Sequence, residues 1–420
     1  MDITLSAFSG AQCASVQEDT GYAHEDITKD LIKIIADRPE IGRMFEESIA
    51  AACKINPDRM TNPAQTLEDY FIYLDWCAKP MPWMMKPALR GATVFERIDQ
   101  GLEYFYFILD QPLHELEGRG LFYNSLQYVE PVSSWMKRYA CEWGRFLSSP
   151  DSWNENFLKM VVDEPRFNID KGWYEDTSNW HSFNDFFSRK LASPDVRPVD
   201  GADDASAVVS PADSVPQGVW DIDDDSNIAA GGGVLIKSNP FFSVKQLVGR
   251  GSRYVDSFAN GKMTHTFLNV DDYHRYHFPV SGTVKEVRMI PAQDAAGGIT
   301  RWNSEAGKYS LDSETPGWQS IETRGCVIVE TDDCGLVAVL PIGMSQVSSV
   351  NFTDNVRVGA RVNKGEELGY FLFGGSDIAM IFQERAGFEL ACGRENVYAP
   401  ENEKYAHICV GERYGKCHIS

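Results

Sequence analysis

Apolar positions in the first part of the chain return every three to four residues. In PVSSWMKRYACEWGRFLSS, Val132, Trp135, Met136, Tyr139, Trp143, Phe146 and Leu147 share one stripe, which predicts an amphipathic helix capped by Ser133 or Ser134. PEIGRMFEESIAAA repeats the period through Ile41, Met44, Phe45 and Ile49, with Pro39 at the start, and TLEDYFIYLDW gives a third helix. A one-sided apolar stripe is what a packed helix needs, so these aromatics are assigned to a core rather than to a binding groove.

The period then changes. SFNDFFSRKLASPDVRPVDGADDASAVVSPADS is rich in Pro, Asp, Ser and Ala, which places a boundary near 165–180 and a linker-like crossing near 192–206. Beyond it THTFLNV, GTVKEVRMI, GCVIVET, GLVAVLPIG, LGYFLF and IAMIF follow one another as strands punctuated by Gly, Asp and Asn. The expected architecture is α+β: a flexible arm over 1–25, a helical domain over 26–165, and a mostly antiparallel β-rich domain over 166–420. PAQDAAGGITRWNSEAGKYSLDSETPGW is polar and Gly-rich, and is expected to be a long surface loop. The acidic run DIDDDS lacks the Gly and the distant Glu of an EF-hand, and is expected to be a solvated turn.

Composition narrows the partners. The 420 residues carry a net charge of −22 with no Lys/Arg block, which argues against nucleic acid and anionic lipid surfaces. No apolar stretch approaches the ~20 residues of a spanning helix, and the acidic N-terminus has no basic region before an apolar core. A cytoplasmic protein without stable membrane insertion is expected. Nine scattered cysteines with no CxxC point to reduced thiols.

The candidate chemistry begins at GYFLFGGSDIAMIF, where Gly374-Gly375-Ser376-Asp377 interrupts the most strand-like stretch of the chain. Glycine there admits strained backbone, and a serine after it holds its hydroxyl beside the preceding carbonyl. Given a base, that hydroxyl can attack its own peptide bond. His274 and His277, in VDDYHRYHFPVSG, are candidate bases between strand-like segments. Asp213, in SPADS, is a candidate carboxylate to orient one of them. A metal site would need ligands that no other His/Cys pair supplies.

SPADS, NVDDYHRYHFPVSG and VNKGEELGYFLFGGS, in this order, resemble the phosphatidylserine decarboxylases and their soluble relatives. SFNDFFSRKL…RPV and IKSNPFFSVKQLVG fit the same pattern, over about 182–385. The helical half is similar to the extension of the soluble branch, which includes fungal tryptophan decarboxylases. The resemblance implies self-cleavage between Gly375 and Ser376 into two chains, α and β, of one precursor. Ser376 becomes a pyruvoyl group, which serves in place of pyridoxal phosphate, with no metal. It places Asp213, His277 and Ser376 in the cleavage triad and His274 in decarboxylation. Family members usually carry Ser or Thr where this chain has Asp377, and a carboxylate there disfavours the oxyanion of cleavage. With no membrane anchor in view, the expected substrate is a free amino acid, tryptophan or another aromatic. The rival is phosphatidylserine itself. VNKGEELGYF also resembles the hairpin of a non-enzymatic carrier domain, but Lys364-Gly365 lacks the flanking residues. No G-x-S-x-G elbow marks a serine hydrolase.

Overall fold

The computed structural model describes residues 23–85, 91–229, 242–313, 316–345, 349–392 and 405–418. Most of the expected arm, residues 1–22, lies outside them, as does part of IKSNPFFSVKQLVG.

The first part of the chain is helical: α1 (Asp26–Asp37), α2 (Pro39–Ile55), α3 (Leu67–Cys77), α4 (Val94–Leu109), α5 (Val132–Leu147), α6 (Glu155–Val162) and α7 (Phe183–Phe187). Caps set several starts. Thr66 accepts from the amide of Asp69, and Thr93 and Glu96 close a reciprocal capping box on α4. α5 departs from expectation, because it starts after Pro131 with no side-chain cap. Its aromatic stripe is core: Trp135 and Trp143 are fully buried, and their indoles donate to the carbonyls of Ile27 and Pro80. Burying both indoles would be costly without those acceptors.

The strands follow, with one short helix, α8 (Val244–Val248), among them. They are β1 (Ala207–Val209), β2 (Val215–Asp221), β3 (Lys262–Leu268), β4 (Arg275–His277), β5 (Gly282–Ile290), β6 (Ile299–Asn303), β7 (Lys308–Asp312) and β8 (Arg324–Glu330). The series ends with β9 (Leu336–Met344), β10 (Val350–Phe352), β11 (Arg361–Val362), β12 (Glu367–Phe371), β13 (Gly375–Phe382), β14 (Glu389–Leu390) and β15 (Arg413–Lys416). Seven form an antiparallel sheet in the order β11-β5-β8-β9-β13-β3-β2. Side chains alternate across it. Val337, Val339, Ile378 and Met380 enter one core, and Ala338, Leu340, Ala379 and Ile381 the other. Covered on both faces, β9 and β13 therefore read as continuous apolar runs.

The stretch expected to be a surface loop contains the hairpin β6–β7. Its alternation is masked because it packs against α4 rather than into the sheet. Gln100 of α4 binds it as a strand would, donating to the carbonyl of Tyr309 and accepting from the Tyr309 amide. Lys308 reaches Glu96 at 2.7 Å. On the other side of α4, a Cβ at Gly101 would stand 2.7 Å from Cβ of Met85, so only glycine lets the chain pass that close.

Candidate active site

The register of the sheet brings the candidate residues to one end of two strands. Ser376, second in β13, pairs with Leu268, the last residue of β3. β3 then leaves the sheet through 269–274, which carries His274. Arg189, fully buried just after α7, clamps this loop by donating to the carbonyls of Asp271 and Asp272. His407 holds the Asp272 carboxylate at 2.7 Å, and the other carboxylate oxygen accepts from the Asn269 amide.

His274 is fully buried and stacks on Phe187, with centroids 3.8 Å apart. Its Nδ1 donates to the carbonyl of Asp272, so a neutral ring leaves Nε2 bare, and Nε2 has no hydrogen-bond partner. Burial, helped by the Arg189 guanidinium, holds its pKa well below the usual histidine value. His274 is thus a neutral ring with a free lone pair. His277, on β4, is also lowered by burial. Its Nδ1 donates to the carbonyl of Gly365, and its Nε2 accepts from the hydroxyl of Tyr273 at 3.3 Å.

Ser376 is fully buried and its Oγ has no hydrogen-bond partner, an unusual state for a core hydroxyl. Gly374 before it has φ 147°, a conformation disfavoured for residues with a Cβ. Asp377 lies on the opposite sheet face, since successive side chains of a strand alternate. There it meets Nδ1 of His265 at 2.7 Å, and His265 stacks on Trp220. Burial raises the Asp377 pKa and His265 opposes the rise. The charge of Asp377 is therefore engaged on the face away from the Ser376 hydroxyl.

Asp213 is close to His277 along the backbone, because the His277 amide donates to the carbonyl of Pro211 at 2.7 Å. Its carboxylate is used elsewhere. Arg197 forms a two-pronged pair with it, at 3.0 and 2.5 Å, and the Val410 amide adds a third bond. No hydrogen bond joins Asp213, His277 and Ser376 in this conformation. The segment 192–206 is thus more than a crossing, since it delivers Arg197.

A model of the family described as phosphatidylserine decarboxylase matches residues 183–415, more than half of the chain. The chain belongs to the phosphatidylserine decarboxylase family. Membership makes it a decarboxylase, and the family is pyruvoyl-dependent. The decarboxylase iboD of Amanita muscaria is 27% identical over 277 residues, 60% of this chain and 77% of that protein. A phosphatidylserine decarboxylase proenzyme of Fusobacterium nucleatum is 27% identical over 299 residues, 70% of this chain and 89% of its own length. An L-tryptophan decarboxylase of Psilocybe cyanescens is 27% identical over 290 residues, with 60% of this chain and 62% of that protein covered.

In this phosphatidylserine decarboxylase family member, a cavity of about 430 Å³ opens beside Gly374. Phe267, Leu268, Asn269 and Val270 line one wall, and Asp99, Leu102, Glu103 and Tyr106 of α4 line another. The sequence reading did not single out α4, Arg197, Arg189 or His265. The capping box, followed by two acids four residues apart, was the signal available for α4. Among the described residues, no helix is long and apolar enough to cross a membrane.

The Arg197–Asp213 pair is buried, with both side chains 5% exposed. Arg197→Met, made in an uncleavable Ser376→Ala background, is expected to lose about 3–5 kcal/mol, because a lone carboxylate remains inside. Denaturant unfolding reads the loss. A change below about 1 kcal/mol would show that water enters and replaces the guanidinium.

Proposed function

We propose that this chain is a precursor that cuts itself between Gly375 and Ser376 and matures into a pyruvoyl-dependent decarboxylase of a free amino acid. The observation that carries the reading is the buried, unpartnered Ser376 hydroxyl directly after Gly374-Gly375, at the start of β13, an interior strand of the sheet. The hydroxyl attacks the Gly375 carbonyl, and the acyl group moves from nitrogen to oxygen. Elimination then releases residues 1–375 with the serine oxygen in their new carboxylate, and one water hydrolyses the remaining enamine, expelling ammonia and leaving the ketone on residue 376. His277, freed from Tyr273, is the base for the attack. Asp213 supports the histidine segment through Pro211 and Val410.

The ketone, once formed, holds the substrate amine and accepts the electrons left by departing carbon dioxide. His274 takes and returns a proton at Nε2, while its Nδ1–H on the Asp272 carbonyl fixes the tautomer. Phe187 fixes the ring plane, and burial keeps water from competing for that proton.

The size of the cavity supports a small substrate: about 430 Å³ lies within the ~300–1,000 Å³ of small-ligand sites. Purified protein is expected to release amine and carbon dioxide from a free amino acid in buffer without lipid or detergent. The names of the Psilocybe relatives place tryptophan in the panel. Turnover of phosphatidylserine in micelles, with none of any free amino acid, would transfer the assignment to the phospholipid enzyme.

A further inference from the structure

The α4 wall of the cavity carries two carboxylates, Asp99 and Glu103, one helical turn apart. Both are half-buried and line the cavity. No Lys, Arg or His among the described residues forms an ion pair with either. The cations whose charge reaches Asp99, Arg166 and Lys308, are bound to Asp271 at 2.9 Å and to Glu96 at 2.7 Å. What Asp99 and Glu103 share is the side-chain amide of Gln100, at 3.1 and 3.2 Å. A second group points the same way. Thr300 lines the cavity and is 4% exposed; its amide donates to the Asp110 carboxylate at 2.8 Å, and its Oγ1 stands beside that carboxylate without a hydrogen bond of ordinary geometry. Two acids without a counter-ion and a nearby threonine hydroxyl, on the walls of one cavity, form a receptor for a group that donates hydrogen bonds and carries positive charge.

Resting on the reading of a free amino acid substrate, we infer that Asp99 and Glu103 select an amino acid whose side chain ends in a cation, such as ornithine, lysine or arginine. Gly374, two residues before Ser376, lies on the wall of the same cavity, which runs from that end of β13 to the α4 carboxylates. Burial raises the pKa of both acids, and the charge of Asp99 adds to the rise at Glu103. A bound cation opposes both effects and keeps the pair ionised. An uncharged side chain of equal length leaves two acids competing for one proton. Asp377, the other acid near Ser376, takes no part, because His265 holds it on the opposite face.

The test compares matched side chains on the mature enzyme: lysine against norleucine, ornithine against norvaline, with tryptophan and phosphatidylserine micelles alongside. The cationic member of each pair is expected to show kcat/KM about 10- to 100-fold higher, the scale of charge-assisted hydrogen bonds. Asp99→Asn with Glu103→Gln is expected to raise KM for the cation about 10-fold or more, with a smaller change in kcat. Binding is read separately by calorimetry on the full-length Ser376→Ala protein, where lysine is expected to bind and norleucine to bind at least about 10-fold more weakly. Equal kcat/KM for lysine and norleucine, or tryptophan turnover with no preference for a cation, overturns the inference and leaves the free amino acid reading in place. Turnover of phosphatidylserine alone removes that reading, and the inference with it. If the double variant fails to fold, the wild-type comparison of matched pairs decides by itself.

Discussion

Ser376→Ala is expected to remain one chain of 420 residues with no decarboxylase activity, whereas the native sequence yields residues 1–375 and 376–420. The effect is all-or-none, because the hydroxyl is both the nucleophile of the cut and the oxygen whose elimination generates the precursor of the ketone, and alanine has no such oxygen. It is also clean structurally. Ser376 is fully buried with an unbonded hydroxyl, so alanine deletes a group that contributes no hydrogen bond to the fold. Intact mass reads the cleavage. The new N-terminus at residue 376 should resist Edman chemistry because it is a ketone and not an amine. Hydroxylamine or phenylhydrazine should inactivate the native protein by trapping that ketone, and added pyridoxal phosphate should change nothing. An active protein that runs as a single intact chain would overturn the maturation scheme.

The second large effect separates the histidines. His274→Ala should still be cut but should lose about 10²–10⁴-fold in turnover, the usual scale of a lost proton-transfer group. The assignment follows from environment. His274 is locked by its Nδ1 bond to Asp272 and by Phe187, and its Nε2 lone pair is free. His277→Ala should accumulate the uncut precursor, because its side chain is tied to Gly365 and Tyr273 by bonds that one rotation can exchange. Native turnover by His274→Ala would remove its assigned role, and full cleavage of His277→Ala would move the base elsewhere.

Much of this site was legible along the chain because its parts lie in short ordered segments. Ser376 stood out as glycines breaking an apolar run, and the histidines as polar side chains crowded between strands. What stayed hidden involves contacts between distant residues. Arg197 reads as a loop cation until the fold sets it against Asp213. Asp377 reads as a charge beside the cut until β3 brings His265 to it, 112 positions earlier in the chain. The hairpin β6–β7 passed for a loop because its partner is a helix, and strand periodicity is strongest where a sheet supplies the neighbours. Asp99 and Glu103 were overlooked for a different reason. They belong to a helix whose later residues, LEYFYFIL, are almost wholly apolar, so the helix reads as core and its two acids as ordinary surface charge.

The position of β13 has a consequence for the life of the molecule. The shorter chain of the proposed mature form would begin inside the seven-stranded sheet, where β13 is hydrogen-bonded to β9 on one side and β3 on the other. It continues to β15, which pairs with β1, and sends the Val410 amide to Asp213 and His407 to Asp272. The proposed cut would therefore turn a fold learned by a single polymer into a complex of two strangers. A precursor reaches this arrangement by a unimolecular search. A denatured mature enzyme would have to find its own middle strand by collision, at a rate set by dilution and in competition with other exposed β edges. Maturation by that cut would be a ratchet: each molecule would fold once, and what heat or denaturant took apart afterwards would have to be replaced by new synthesis.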